Sequence, residues 1–190
     1  MHYLAPGQWC QGVDDSRIAF IGCDPLRCRR MNWYVLYLRP RCEKKLAEYC
    51  RIHGFSHYLP LREETKVYQR RKVRVEKPLF PSYFFASFDA DGRVKILKTN
   101  HVLRILEPNS RRKLLHELAQ VRKALRVDPS LTSTSAIRTG RQCRITGGPF
   151  MGVEGLVMAI KGKAKVRLNV EMVGRALMIE VDREYLEVLD

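Results

Sequence analysis

The sequence has no apolar run long enough to span a bilayer and few acidic residues for its basic content. A membrane-spanning helix needs about 18 or more apolar residues, and the N-terminus lacks the basic-then-apolar order of a signal peptide. We therefore expect a cytoplasmic protein that does not bind membranes. Lys and Arg number 35 against 20 Asp and Glu, which gives a formal net charge of +15. This excess favours an anionic partner, and nucleic acid is the first candidate.

The cysteines lack the short paired spacing of a zinc ribbon and the density of a secreted disulfide scaffold. There are six, at irregular intervals: Cys10, Cys23, Cys28, Cys42, Cys50 and Cys143. Cys10, Cys23 and Cys28 could gather a metal together with His2, but no CxxC is present. We expect incidental, reduced thiols, no metal site and no other cofactor.

Signals for an enzyme are also lacking. There is no Gly-rich phosphate loop of the Walker type, and the five histidines have no zinc-ligand spacing. Glu63, Glu64, Asp89 and Asp91 could be imagined as the carboxylates of a metal-dependent nuclease. Adjacent carboxylates on a strand point to opposite faces, however, so solvated surface acids are the simpler interpretation. The sequence predicts a protein that catalyses no reaction.

The first thirty residues mix Pro, Gly and scattered charge without a period of two or 3.6, so residues 1–30 are predicted to be a poorly ordered extension. Regular patterning begins at Met31, which could be the natural start. The run 32–38 (NWYVLYL) has the aromatic and β-branched composition of a strand.

Strands and helices then alternate to about Arg126. Apolar residues at helical spacing predict a helix between Cys42 and Gly54, with Glu43 on its polar face, and a second helix after Pro108. Strands are expected over 66–75, as a pair with a charged turn, and over 83–88 and 102–106. This order predicts an α+β domain over residues 31–126, a mixed sheet with helices packed on one face.

A composition shift marks the end of this domain. Residues 127–139 are rich in Ser, Thr and Asp-Pro, as expected of a linker. Residues 140–190 contain short β-rich runs separated by glycine-bearing turns, which indicates a small β-barrel of the SH3-like type.

Two segments resemble a known family. The first is Trp33-Tyr34-Val35-Leu36-Tyr37 with the downstream run 78–85 (PLFPSYFF), which looks like the N-terminal domain of the NusG family. The second is the run 140–157 (GRQCRITGGPFMGVEGLV), followed by Gly174-Arg175, which resembles the KOW motif of that family's barrel domain. Order and spacing both match from Met31 to the C-terminus.

The resemblance implies a contact with RNA polymerase. In the family, an apolar pocket receives the clamp helices of the largest polymerase subunit, and the positions that match it here are Tyr37, Phe80, Pro81, Tyr83 and Phe85. Large rigid aromatic rings suit such a groove because their burial costs little entropy. Plain core packing is the alternative. A period of two places Tyr83 and Phe85 on one face of their strand and Phe84 on the other.

A second set of positions is predicted to contact nucleic acid. In specialised family members the first strand–helix junction approaches the non-template DNA strand, and Arg39, Arg41, Lys44 and Lys45 lie there. A solvated helix face is the alternative, with Glu43 and Glu48 partly neutralising the cluster. A loop over 93–99, including Lys98 and Thr99, aligns with the segment that faces the polymerase gate.

In the KOW motif, glycines at 148 and 152 permit the positive φ of tight turns, and Pro149 fixes its own backbone. Gly148, Pro149 and Phe150 are therefore predicted to present an aromatic contact at a loop tip. Phe150 could equally plug the end of the barrel as core. The resemblance implies that this domain recruits a small-subunit ribosomal protein or the Rho terminator.

Three features are similar to those of specialised paralogues such as RfaH-like and capsule-operon antiterminators. They are the run of the first strand, the basic start of the helix, and Ser82 at a position where the housekeeping factor commonly has glycine. The expected function is therefore processive elongation or antitermination at selected operons, by a monomer. The rival interpretation is a KOW-bearing ribosomal or RNA-binding protein without polymerase binding.

Overall fold

The computed structural model describes residues 32–68, 71–136, 140–157 and 164–189. The predicted extension 1–30 and the candidate metal ligands Cys10, Cys23, Cys28 and His2 lie outside these ranges. Within them, the first part of the chain forms β1 (Asn32–Leu38), α1 (Glu43–Ile52), β2 (Ser56–Tyr58), β3 (Leu61–Tyr68), β4 (Arg71–Pro78), β5 (Tyr83–Phe88), α2 (Ala90–Lys98), β6 (Val102–Leu106) and α3 (Arg111–Val127). The second part forms β7 (Ser133–Ser135), β8 (Arg141–Ile145), β9 (Glu154–Val157), β10 (Ala164–Val170), β11 (Arg175–Val181) and β12 (Leu186–Val188).

The N-terminal sheet has the strand order β2-β5-β1-β6. All three neighbouring pairs are antiparallel, where the sequence predicted a mixed sheet. The reason is that each helical connection skips a position: α1 joins β1 to β2 across β5, and α2 joins β5 to β6 across β1. The strands joined by a helix are parallel but never adjacent, so the α+β class is confirmed and the sheet is purely antiparallel.

The two faces of this sheet bury different side chains, because successive residues of a strand point to opposite sides. One face packs against α1 and α2 through a cluster of Leu36, Leu38, Leu46, Cys50, Phe84, Ala86, Phe88 and Ile96. The other face carries Trp33, Val35 and Phe85, whose cluster continues into α3 and on into the C-terminal sheet. Helices therefore cover both faces, and the expectation of helices on one face is wrong.

The segment 93–99, expected to be a loop, lies almost entirely in α2. Asp89 caps the helix, its side chain accepting a hydrogen bond from the N–H of Gly92 at 2.8 Å. Ile96 is buried against the sheet. Lys95 and Lys98 occupy the last turn, where positive charge complements the helix dipole. Lys98 is thus the last residue of a helix and Thr99 its C-cap.

Strands β3 and β4 pair in register from Leu61–Pro78 to Tyr68–Arg71 and form a separate two-stranded ribbon. The sequence predicted this pair. The ribbon leaves the body of the domain near Leu79 and Phe80, which are both buried. Its base is held by the backbone N–H of Leu79 donating to Pro60 O and that of Glu63 donating to Pro129 O.

The C-terminal sheet has the strand order β12-β8-β9-β10-β11-β7. Its core alternates along β10, where Ala164, Val166, Leu168 and Val170 are buried. Gly155 lets β9 approach β10 closely, since a Cβ there would lie 2.7 Å from the Arg167 carbonyl oxygen. This is the small β-rich unit predicted for 140–190, but it also takes in β7 from the predicted linker, which pairs with β11.

Helix α3 joins the two parts. Its Leu114, Leu118, Val121 and Ala124 are buried in the cluster that contains Val35 and Phe85 on one side and Val166 and Leu168 on the other. A capping serine, Ser110, starts the helix by accepting a hydrogen bond from the Lys113 N–H. The two predicted domains therefore touch. None of the helices in the described residues is long and apolar enough to cross a membrane.

Candidate functional site

An exposed row of side chains crosses the end of the N-terminal sheet. Tyr37 pairs directly with Tyr83 on β5 and with Arg104 on β6, so the three side chains share one face. The two tyrosine rings are tilted, with centroids 5.4 Å apart. Tyr37 is 38% exposed, Arg104 is exposed as well, and Tyr83 is half-buried. Sequence reasoning found both tyrosines but missed Arg104, since the pairing of β6 with β1 is not visible in the chain.

A second row lies on the same face, two residues further along each strand, and its side chains are largely shielded from solvent. Here Tyr58, Phe85, Val35 and Leu106 are register partners, and Phe85 is fully buried. Phe80 packs edge-on against Phe85 with ring centroids 6.4 Å apart. It is only 1% exposed. Of the predicted polymerase contacts, Phe80 and Phe85 therefore lie beneath Tyr37 and Tyr83 in the core.

Helix α3 lies near this covered row. Burial raises the pKa of the Tyr58 hydroxyl well above its usual range, while the charges of Arg122 and Arg126 on α3 oppose the shift. The predicted alternation is confirmed by this arrangement: Tyr83 and Phe85 belong to the α3 side, and Phe84 belongs to the opposite core.

A groove of 630 Å³ begins beside the exposed row and runs toward the base of the ribbon. It brings together residues predicted for two different roles, since Pro81 lines it together with Arg41 and Lys44. Its lining also includes Arg62, Lys77, Pro78, Leu79, Thr132 and Ser133. One predicted polymerase contact, Pro81, is therefore a neighbour of two predicted nucleic-acid contacts, Arg41 and Lys44.

Glu43 forms a buried anchor in this groove. The sequence placed it on the polar face of α1, but it is only 6% exposed. Its Oε1 accepts a hydrogen bond of 2.8 Å from the backbone N–H of Ser82. Ser82 has φ of 65°, and Arg41 also has φ of 65°. Both bends that border the groove thus adopt left-handed backbone without glycine, and Glu43 holds one of them.

The remaining basic positions are exposed, with different local partners. Arg39 and Lys45 are exposed to solvent. The Lys44 ammonium is 3.9 Å from a carboxylate oxygen of Glu76. The backbone N–H of Arg39 donates to His101 O. The N–H of His101 in turn donates to the Thr99 hydroxyl at 3.4 Å. The first strand–helix junction and the end of α2 are therefore brought side by side.

The loop between β8 and β9 has the predicted backbone, with positive φ at Gly148 (73°) and Gly152 (78°). Pro149 is exposed. Phe150 is half-buried and packs against the central cluster, as in the core alternative. The exposed apolar side chain of the loop is the next residue, Met151, at 71%. Sequence patterning favoured neither arrangement of Phe150, because both are compatible with the turn.

Polar contacts border the junction between α3 and the C-terminal sheet. The backbone N–H of Glu154 donates to Gln120 Oε1 at 3.0 Å, and that of Glu171 donates to Glu117 Oε2 at 3.1 Å. The Lys113 ammonium forms an ion pair with the Glu171 carboxylate. Burial raises the pKa of Glu117 to about 7, and the Glu171 hydrogen bond opposes this shift only in part.

Two of the four candidate nuclease carboxylates have hydrogen-bond partners in the structure. Glu64 accepts from Arg62 and Lys77, and Asp89 caps α2. No cluster of three potential metal ligands occurs in the described residues. The described thiols are unpaired, and burial raises the pKa of the Cys50 thiol to about 12, which keeps it protonated and unreactive.

Comparison with known proteins places the chain in a family. Residues 31–124 match the family model described as transcription termination factor nusG. The transcription termination/antitermination protein NusG of Borreliella burgdorferi is 22% identical over 178 residues, covering 82% of this chain and 97% of that protein.

Two solved structures are also similar. A structure described as domain interaction in Thermotoga maritima NusG has 17% identity, covers 85% of this chain and 99% of that chain, and has a TM-score of 0.46. One described as the MjSpt4:Spt5 complex has 15% identity, covers 83% and 97%, and has a TM-score of 0.28. On the strength of the family match to the N-terminal half and of a relative aligned over nearly its whole length, the chain belongs to the NusG family of transcription termination and antitermination factors.

Proposed function

We propose that this protein binds RNA polymerase through the exposed row of Tyr37, Tyr83 and Arg104 and promotes processive elongation or antitermination at selected operons. The observation that carries the proposal is the tyrosine pair, with Tyr37 exposed and Tyr83 half-buried, which lies on the sheet next to the groove lined by Pro81. Membership of the NusG family supplies the biological setting.

The geometry of the row suits a helical partner. Tyr37 and Tyr83 offer an apolar ledge whose rings are already fixed by their mutual contact, so little side-chain entropy is lost on binding. Arg104 at the end of the row can pair with a carboxylate of the partner. Aromatic and arginine anchors are the side chains most often found as hot spots at interfaces. The partner expected here is the pair of clamp helices of the largest polymerase subunit.

The basic residues at the neighbouring junction complete the mechanism. Arg39, Arg41, Lys44 and Lys45 contact the non-template DNA strand, together with Lys98 and Thr99 at the adjoining end of α2, beside the DNA cleft of polymerase. A factor bound across that cleft binds the closed state better than the open state, and this difference in affinity favours elongation. No covalent step is needed.

The C-terminal sheet supplies a second binding surface at Gly148 and Pro149, with Met151 as its exposed apolar side chain. A small-subunit ribosomal protein or the Rho terminator binds there. The choice of operons depends on the groove region, where Ser82 replaces the glycine common in the housekeeping factor.

The test is retention of bacterial core RNA polymerase by immobilised full-length protein at moderate salt. Tyr37→Ala removes an exposed ring without opening the core, so we expect a loss of about 2 kcal/mol, or roughly 30-fold in affinity. Leu103→Ala is the matched control, because Leu103 is 51% exposed on β6 of the same sheet. Phe80→Ala is less informative, since emptying a buried site costs about 3–5 kcal/mol of stability.

Equal binding by wild type and Tyr37→Ala would place the polymerase contact elsewhere. No binding by the folded wild type would remove the polymerase proposal altogether. The KOW-bearing ribosomal or RNA-binding protein would then be the better account.

A further inference from the structure

The β3–β4 ribbon carries an excess of positive charge that the proposed function does not use. Its sixteen strand residues include six cations and three glutamates. It is paired to no other strand in the described residues. Most of its side chains are exposed or half-buried, including Val67 at 66%.

The charge is closely paired at the base of the ribbon and much less so beyond it. Near the base, Glu64 lies 2.7 Å from Arg62 and 2.8 Å from Lys77. Farther out, the Arg74 guanidinium is 4.0 Å from Glu63 and stays 84% exposed. Among the residues that the structure describes, no carboxylate oxygen comes within 4.0 Å of the charged nitrogens of Lys66, Arg71 or Lys72.

These outer cations are divided equally between the two faces. Register partners share a face, and Lys66 pairs with Val73 while Val67 pairs with Lys72. Alternation then places Arg71 on the face of Lys66 and Val73, which we call face A. It places Arg74 on the face of Lys72 and Val67, which we call face B. Each face therefore has two cations beside one exposed valine.

We propose that the ribbon inserts into a groove of double-helical nucleic acid, with face A neutralising phosphates on one wall and face B neutralising phosphates on the other. A two-stranded ribbon with side chains on both faces is about 10 Å thick. The major groove of B-form DNA is about 12 Å wide and admits such a ribbon. Duplex DNA is the ligand class we assign to this site.

A single strand fits these features less well. It presents one line of phosphates, so it can neutralise only one face at a time. Proteins that bind single strands also stack successive bases on aromatic side chains, and Tyr68 is the only aromatic residue in the two strands. The ribbon thus differs in its ligand from the strand–helix junction, and this inference does not rest on polymerase binding.

The first test measures the salt dependence of DNA affinity by fluorescence anisotropy, using the full chain and a duplex of mixed sequence about two helical turns long. Two matched variants remove one face each: Lys66→Gln with Arg71→Gln, and Lys72→Gln with Arg74→Gln. The control variant, Arg112→Gln with Arg183→Gln, removes the same charge from exposed sites off the ribbon.

Each phosphate contact contributes about 0.9 to the slope of log affinity against log salt. Each face variant should therefore flatten the slope by about 1.8, and the combined quadruple variant by about 3.6. Between about 50 and about 200 mM salt, the wild type should lose roughly 150-fold more affinity than the quadruple variant. The control should keep the wild-type slope, and far-UV circular dichroism checks that every variant is folded.

Two outcomes with the DNA ligands would overturn the proposal. One is an effect of only one face variant, which would indicate that the ribbon lies on a flat surface. The other is tighter binding of the matched single strand than of the duplex. An RNA duplex is a third ligand in the assay, and binding tighter than that of DNA would contradict the assigned ligand class.

The second test uses a photo-crosslinking amino acid at Val67 or Val73, one on each face and both exposed. Both positions should crosslink to the duplex. Val94, which is 53% exposed on α2, is the control and should not. Crosslinking at only one ribbon position, or equally at Val94, would refute insertion.

Discussion

Glu117 makes the junction between α3 and the C-terminal sheet sensitive to pH. Its half-buried carboxyl accepts a hydrogen bond from the Glu171 N–H, and burial raises its pKa to about 7. The folded protein therefore binds this proton more tightly than the unfolded chain does. The resulting stabilisation is complete below about pH 4.5 and is lost as the pH rises through 7.

Glu117→Gln keeps an oxygen that can accept the same hydrogen bond but carries no charge at any pH. The shift would correspond to roughly 3 kcal/mol if the carboxyl were fully shielded. Water screens a half-buried group, so we expect a gain of about 1 kcal/mol at pH 8, which is about 2–4 °C in melting temperature for a chain of this length. Near pH 5 the variant and the wild type should melt together.

The assay is thermal unfolding followed by circular dichroism between pH 5 and pH 8, with the variant compared to wild type at each pH. His116, whose ring lies 3.3 Å from Glu154, is present in both chains, so the comparison isolates the change at residue 117. Glu187→Gln, at an exposed carboxylate, is the control and should show no pH-dependent gain. A variant that is destabilised at every pH would show that the carboxylate itself holds the junction, and would refute the reasoning.

Two further substitutions test the backbone. Ser82→Gly should raise the free energy of unfolding, measured in urea, by up to about 1 kcal/mol, because Ser82 has φ of 65° and glycine adopts this backbone without strain. Ser82→Ala is the control and should give no such gain. Equal behaviour of the two variants would mean that this bend stores no strain. Gly155→Ala should lower stability by about 1–3 kcal/mol, because its Cβ would meet the Arg167 carbonyl oxygen at 2.7 Å. Differential scanning calorimetry checks this, and an unchanged melting temperature would show that β9 and β10 can separate without cost.

Local patterning predicted three of the four strands of the N-terminal sheet, β1, β5 and β6, but not β2. The period of two over 32–38 and 83–88 identifies β1 and β5, and also which aromatic side chains share a face. The helix α2 was missed because the segment around Asp89 and Gly92 has the composition of a turn. In the structure Gly92 is needed for packing, since a Cβ there would lie 2.8 Å from both Phe55 and Phe88.

The candidate site was only partly predictable, because burial depends on contacts between distant segments. Phe80 and Phe85 match the family's contact positions, yet their exposure is decided by neighbours that follow from the tertiary fold. Glu43 looks like a surface residue of an amphipathic helix until the bend at Ser82 places an N–H over it. Arg104 joins the tyrosine row only through the pairing of β6 with β1.

The pairing of β7 with β11 sets how far the C-terminal sheet could travel once its contacts with α3 were broken. While β7 is paired, only residues 128–132 connect α3 to that sheet, and a chain of this length reaches about 17 Å. If β7 detached, the connection would extend over residues 128–140 and reach about 45 Å. The three residues of β7 thus limit the length of the connection. Their release would more than double the distance from α3 at which the C-terminal sheet could contact a partner.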